Sequence, residues 1–125
     1  MTHSISVVDD SDGIRRSFRT VLEHAGYSVK DYASGQEFLD SDLARQADCI
    51  LLDLEMPDPN GIEVLDALQD TARATPVIVV TGTDNPALLA DADRDIVTTI
   101  LNKPIGPDVL LAAVDGALSQ SSHDG

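Results

Sequence analysis

Cysteine is nearly missing from this sequence: Cys49 is the single one in 125 residues. No disulfide can form within the chain, and a reducing cytoplasm is its simplest expected home. Tryptophan is absent and only two Phe and two Tyr are present, too few for an aromatic platform on which nucleic-acid bases stack. Cations are scarce as well. Eight Lys and Arg face 22 Asp and Glu, a formal net charge of −14 that repels phosphate backbones and anionic lipid. Direct contact with nucleic acid or membrane is therefore not expected. No apolar run approaches the roughly 20 residues needed to span a bilayer. Met1 to Asp12 also hold no Lys- or Arg-flanked apolar stretch, so neither a membrane span nor a signal peptide is expected.

What is present is an ordinary globular share of apolar residues, 42%, enough for one core but not two. Strand-like and helix-like segments alternate, which predicts a parallel sheet with helices on both faces. Ser4 to Val8 reads as a first strand. Ile14, Phe18, Val21 and Leu22 form the stripe of a helix over Asp12 to Ala25, with Ser11 or Asp12 as N-cap and Gly26 as stop. Ser28 to Ala33 reads as a second strand, and Ser34-Gly35 starts a short helix around Phe38 and Leu39. Cys49 to Leu52 is wholly apolar, as befits a central strand covered on both sides. A turn-rich stretch from Asp53 to Gly61 follows, and then a helix carrying Ile62, Leu65 and Leu68. Val77 to Val80 is a fourth strand, Pro86 suits the first turn of a fourth helix, and Val97 to Leu101 is a fifth strand. Leu110, Val114 and Leu118 mark the last helix. Residues 1–118 thus read as one domain, and the polar, Ser-rich residues 119–125 as a frayed tail.

In such a sheet ligands bind outside the carboxyl ends of the strands. Asp9 and Asp10 follow the first strand there, Asp53 the third, Thr81 the fourth and Lys103 the fifth. Taken singly these are commonplace: an Asp pair before a helix caps it, and an Asp, Thr-Gly or Lys-Pro after a strand makes a turn. Their occurrence in order at the ends of four strands is the informative pattern. Three carboxylates on one edge repel each other unless they hold a cation, and all-oxygen ligation suits a hard ion such as Mg²⁺. Asp10-Ser-Asp-Gly13 hints at a calcium loop, but Val8 and Arg19 would stand at its first and closing ligand positions. His3, His24 and His123 occur in unrelated contexts and are expected to be solvated; Cys49 is expected to be buried without a redox role.

Val8-Asp9-Asp10, Leu51-Leu-Asp53-Leu-Glu-Met-Pro57, Gly61, Pro76-Val77, Thr81-Gly82 and Lys103-Pro104 together resemble the receiver domains of bacterial response regulators. The likeness covers nearly the whole chain. Ser34-Gly-Gln-Glu-Phe-Leu39 and Thr81-Gly82 most resemble the FixJ-type subgroup. The resemblance implies a (βα)₅ flavodoxin-like fold, α/β and doubly wound, that accepts a phosphoryl group on Asp53 from a histidine kinase or histidine phosphotransfer protein. It further implies that Asp10 and Asp53 ligate Mg²⁺ directly, Asp9 through water, and that the backbone carbonyl of Glu55 adds another oxygen. Lys103 would place its positive charge on the phosphoryl oxygens, the Thr81 hydroxyl would reach the same oxygens, and Pro104 would aim Lys103 through a cis peptide.

Two features depart from the family pattern. Ile100 stands where receivers commonly carry a Phe or Tyr that swings inward, and Ala90 to Ile96 lacks the usual Ala-Gly turn, which predicts a short or irregular fourth helix. The response is therefore expected in the loop after the fourth strand. The surface for a downstream partner, an output domain or a second copy is expected on the fourth helix, fifth strand and fifth helix. No DNA-binding segment follows Lys103-Pro104 and its helix, so output is expected elsewhere. Only self-phosphorylation and slow self-dephosphorylation are expected, not turnover of a substrate. Two alternatives remain. One is a dehalogenase-like phosphatase, against which stands the order of the motifs: its nucleophile lies on the first strand and its acidic pair comes late. The other is a phosphorylation-independent interaction module, favoured by Ile100. A flavin or nucleotide binder is disfavoured by the acidic loop after the first strand.

Overall fold

Three largely apolar pentapeptides make the centre of the sheet because both of their faces are covered. A computed structural model describes residues 2–41, 46–57, 59–69, 75–82, 84–92 and 95–121. In β1 (Ser4–Val8), β3 (Cys49–Asp53) and β4 (Val77–Thr81), the residues Ile5, Val7, Cys49, Leu51, Ile78 and Val80 enter one apolar cluster. Val8, Ile50, Leu52, Val77 and Val79 enter the other. That is the period-two alternation of a strand with apolar side chains on both sides. Phe18 and Leu22 of α1 (Asp12–His24) and Leu110 and Val114 of α5 (Pro107–Ser121) close the first cluster. Phe38 of α2 (Gly35–Asp40), Val64 and Leu65 of α3 (Gly61–Gln69) and Ala92 of α4 (Pro86–Ala92) close the second.

β2 (Ser28–Tyr32) and β5 (Val97–Asn102) are the edge strands of a five-stranded sheet of order β2-β1-β3-β4-β5, with every pairing parallel. The order reverses direction between β1 and β3, and such a switch point opens a crevice at the carboxyl ends of those two strands. Register makes the crevice level: Val8 lies opposite Leu52, and Asp53 opposite Val80. The acidic residues after β1 therefore meet the acidic end of β3.

Local signals set the element ends. The Ser11 hydroxyl accepts from the Ile14 amide and caps α1, while Gly26 at φ 99° takes the chain out of it after the Ala25 cap. The Ser34 hydroxyl accepts from the Glu37 amide to cap α2, with the Glu37 carboxylate accepting from the Ala33 amide just before the cap, and Asn60 and Glu63 form a capping box on α3. Boundaries shift by about a residue from the sequence expectation. β2 stops at Tyr32, leaving Ala33 outside, and β3, β4 and β5 each take in the polar residue that follows the apolar run. One correction is larger. α5 runs on to Ser121, so the tail expected from Ser119 begins helical, since Ser and Gln lower helix propensity without stopping it. The rest of that tail, His123 included, lies outside the described residues. α4 is described over Pro86–Ala92, and residues 93 and 94 of the altered segment lie outside the described residues.

Candidate functional site

Four side chains converge at the switch point. Asp9 and Asp53 are both buried, with side chains 3% exposed, and Lys103 reaches them from the end of β5. Its Nζ lies 3.2 Å from Asp9 Oδ2 and 3.5 Å from Asp53 Oδ2. Backbone bonds tie neighbouring strand ends in pairs: Lys103 N–H donates to Thr81 O (2.8 Å), Leu54 N–H to Val80 O (3.0 Å) and Asp9 N–H to Tyr32 O (3.2 Å). The Lys103–Pro104 peptide is cis, as the resemblance implies. Asp10, exposed on the rim, completes a triad with Asp9 and Asp53 whose offered carboxylate oxygens all lie within 4.8 Å of one another.

The electrostatics favour a cation. Burial pushes the Asp53 carboxyl above its usual value, and the Glu55 amide, which donates to Asp53 Oδ1 at 3.1 Å, lowers it in part. Asp9 and Asp10 raise it further while Lys103 opposes them. Asp9 Oδ1 accepts from the Ser11 amide at 2.9 Å, but its buried Oδ2 has no hydrogen-bond donor, and Lys103 meets it as an ion pair. An under-satisfied buried carboxylate oxygen beside two other carboxylates is an oxygen-rich donor set that fits a hard divalent ion. The residues present thus fit the Mg²⁺ that receiver domains bind through acidic side chains. Asp12 does not join the cluster; it pairs with Arg15, which leaves the calcium-loop reading without its second carboxylate.

Gly61 is what lets α3 start beside the end of β3. Its amide donates to Leu54 O at 3.2 Å, and a Cβ on it would lie 2.5 Å from Leu54 Cα and 2.7 Å from Asp53 O. Thr81, fully buried, sits at the end of β4 as expected. Its partner was not foreseen. The Thr81 hydroxyl donates to Glu55 Oε1 (3.0 Å), and the Gly82 amide donates to the same oxygen (2.7 Å). Sequence reasoning assigned Glu55 only a backbone role. The contact joins residues 26 and 27 apart, so no local pattern could announce it. Arg15 was also missed: it donates to Asp9 O at 2.6 Å and pairs with Asp31, tying α1 and β2 to the acidic loop. His3 and His24 are exposed and Cys49 is buried, as expected.

A doubly wound parallel sheet with an acidic triad and a lysine at its switch point defines a flavodoxin-like domain with an oxygen-rich edge. Comparison with known proteins narrows the class. The family described as the response regulator receiver domain matches residues 5–115, and the chain belongs to that family. It is 32% identical over 121 residues to the transcriptional regulatory protein FixJ of Azorhizobium caulinodans, covering 97% of this chain and 57% of that protein. It is 34% identical to the response regulator MprA of Mycolicibacterium vanbaalenii, covering 96% and 52%. The chain thus spans about half the length of these relatives. Among solved structures, the chemotaxis protein CheY4 of Vibrio cholerae superposes with a TM-score of 0.84 at 30% identity, over 94% of this chain and 100% of that one. The signal receiver domain of an HD domain-containing protein from Pseudomonas fluorescens reaches 0.91 over 99% and 100%, and at 22% identity it bears on the fold alone. This chain is a receiver domain of the two-component response regulator type.

Proposed function

We propose that Asp53 is the phosphoacceptor of this receiver, taking a phosphoryl group from a phosphohistidine of a kinase or phosphotransfer protein. A P–O bond to the Asp53 carboxylate forms as the P–N bond breaks, and the histidine leaves with the electron pair. The carrying observation is the convergence of Lys103 on the Asp9 and Asp53 carboxylates at the switch point. Phosphoryl transfer runs mainly on positioning and charge neutralisation. Lys103 supplies a fixed cation for the phosphoryl oxygens, and the Thr81 hydroxyl and Gly82 amide would supply hydrogen-bond donors. Asp10 and Asp53, with Asp9 through water and the Glu55 carbonyl, would hold Mg²⁺, which when bound offsets the negative charge gathered there.

Output follows from the same site. A phosphoryl group adds roughly −1.5 to −2 charges and three acceptor oxygens, which draw on the Thr81 hydroxyl and the loop before α4. Ile100 packs against the apolar cluster of α3 and α4 and has no ring to swing, so it follows by small repacking. The response is concentrated in the β4–α4 loop and passes to the face of α4, β5 and α5. Those three elements hold Asp91, Asp108 and Asp115 and no Lys or Arg, which favours a basic partner or output surface over a second copy of this chain. A cytoplasmic setting accords with the single buried thiol.

Acetyl phosphate with Mg²⁺ should add one phosphoryl mass to the intact chain, and Asp53→Asn should add none. Equal mass gain by the variant would refute the assignment. Ile100 gives a second reading some footing, a receiver-like module that works without phosphorylation. Amide shifts with beryllofluoride that stop at Asp53 would favour it.

A further inference from the structure

Two backbone and side-chain donors of the resting site already hold an anion of the chain's own. Thr81 Oγ1 and the Gly82 amide both donate to a single oxygen, Glu55 Oε1, at 3.0 and 2.7 Å. These are the donors that a phosphoryl group on Asp53 would draw upon. We propose that the Glu55 side chain is a resident stand-in for phosphoryl oxygens, a clasp that closes the β4–α4 loop in the unphosphorylated state and must swing out when a phosphoryl group arrives. The proposal rests on Asp53 being the phosphoacceptor.

The geometry makes the two states exclusive. A carboxylate and a phosphoryl group are both oxyanions, and placing them on the same two donors costs like-charge repulsion as well as crowding. Glu55 has a way out. Its backbone is pinned next to the nucleophile, since its amide donates to Asp53 Oδ1 at 3.1 Å, yet the residue is exposed on the rim and its side chain opens directly onto solvent. Thr81 has no such freedom, being fully buried. Departure of one exposed side chain therefore frees two donors whose positions are already set by β4. The clasp raises the threshold for phosphorylation and gives the loop before α4 two discrete partners, an arrangement that can carry a signal without an aromatic switch at residue 100.

The test compares beryllofluoride affinity, with Mg²⁺ present, across the parent chain, Glu55→Gln and Glu55→Asp. Gln keeps the shape but offers a weaker, neutral acceptor, so it should bind beryllofluoride about tenfold tighter, the worth of a charge-assisted hydrogen bond. Asp keeps the charge but is one methylene too short to reach, and should show part of the gain. Repeating Glu55→Gln in a Thr81→Ala background separates a clasp from plain repulsion. With one clasp donor gone the gain should shrink, whereas bulk charge repulsion would leave it unchanged. The Gly82 amide proton of the ligand-free protein should also move upfield in Glu55→Gln. Equal beryllofluoride affinity in parent and Glu55→Gln, or a gain undiminished by Thr81→Ala, overturns the clasp while leaving the phosphoacceptor reading standing. No uptake of beryllofluoride or phosphoryl at Asp53 by parent or variants sinks both.

Discussion

Asp10 is the exposed member of the acidic triad, and its contribution is mainly repulsive until a cation is bound. It faces two buried carboxylates that Lys103 meets as ion pairs. Asp10→Asn should therefore raise the Tm of the metal-free chain by about 2 °C, a modest gain because an exposed charge is screened. A lowered Tm in metal-free buffer would show that Asp10 is held by contacts rather than opposed by charge.

Elements transmit these residue effects through close approaches. α3 can begin beside the end of β3 only because Gly61 has no side chain, and the atoms a Cβ would strike are backbone atoms of Asp53 and Leu54. Gly61→Ala should cost about 1–3 kcal/mol and should lower phosphoryl uptake beyond what the loss of stability explains, because relief of the clash displaces Asp53. Denaturant titration and the phosphorylation rate of the folded fraction measure the two effects separately. On the other face, Tyr27 joins the turn before β2 to α5 through a hydrogen bond to Asp115. Burial, then that bond and the Asp115 charge, push its hydroxyl from 10.0 up to about 12. Below pH 10 Tyr27 is neutral in both folded and unfolded chains, so the tie contributes fully there. As pH rises from 10 towards 12 the unfolded chain ionises first and that stability is lost. Phenolate absorbance should show a Tyr27 step above pH 10 in the folded protein that returns to about 10 in denaturant and is missing in Tyr27→Phe.

The whole molecule carries a net charge of −14 and concentrates part of it at one sheet edge. That edge exists only when β1 and β3 are paired, so a cation bound there favours the native state by mass action. At ten times its Kd, Mg²⁺ should add about 1.4 kcal/mol of stability, and Asp10→Asn should lose most of that increment. Thermal melts over a Mg²⁺ series check it. Equal shifts in parent and variant would place the ion elsewhere.

How much of this was legible beforehand follows from where each signal lives. Apolar pentapeptides, helical stripes and caps are local, so the alternation of elements, the parallel class and the level of Asp9, Asp10, Asp53, Thr81 and Lys103 at the strand ends could be read along the chain. The last turn of α5 was misjudged, because its polar residues resemble a tail and only the preceding helix carries them on. The contacts of the site are of another kind. Lys103 meets Asp9 across 94 residues, and Glu55 meets Thr81 across 26. Sequence by itself determined which chemical groups reach the sheet edge, since strand endings are dictated by nearby residues. Only the tertiary structure decided which of those groups touch, because the order of strands in the sheet and the reach of two long side chains set those distances.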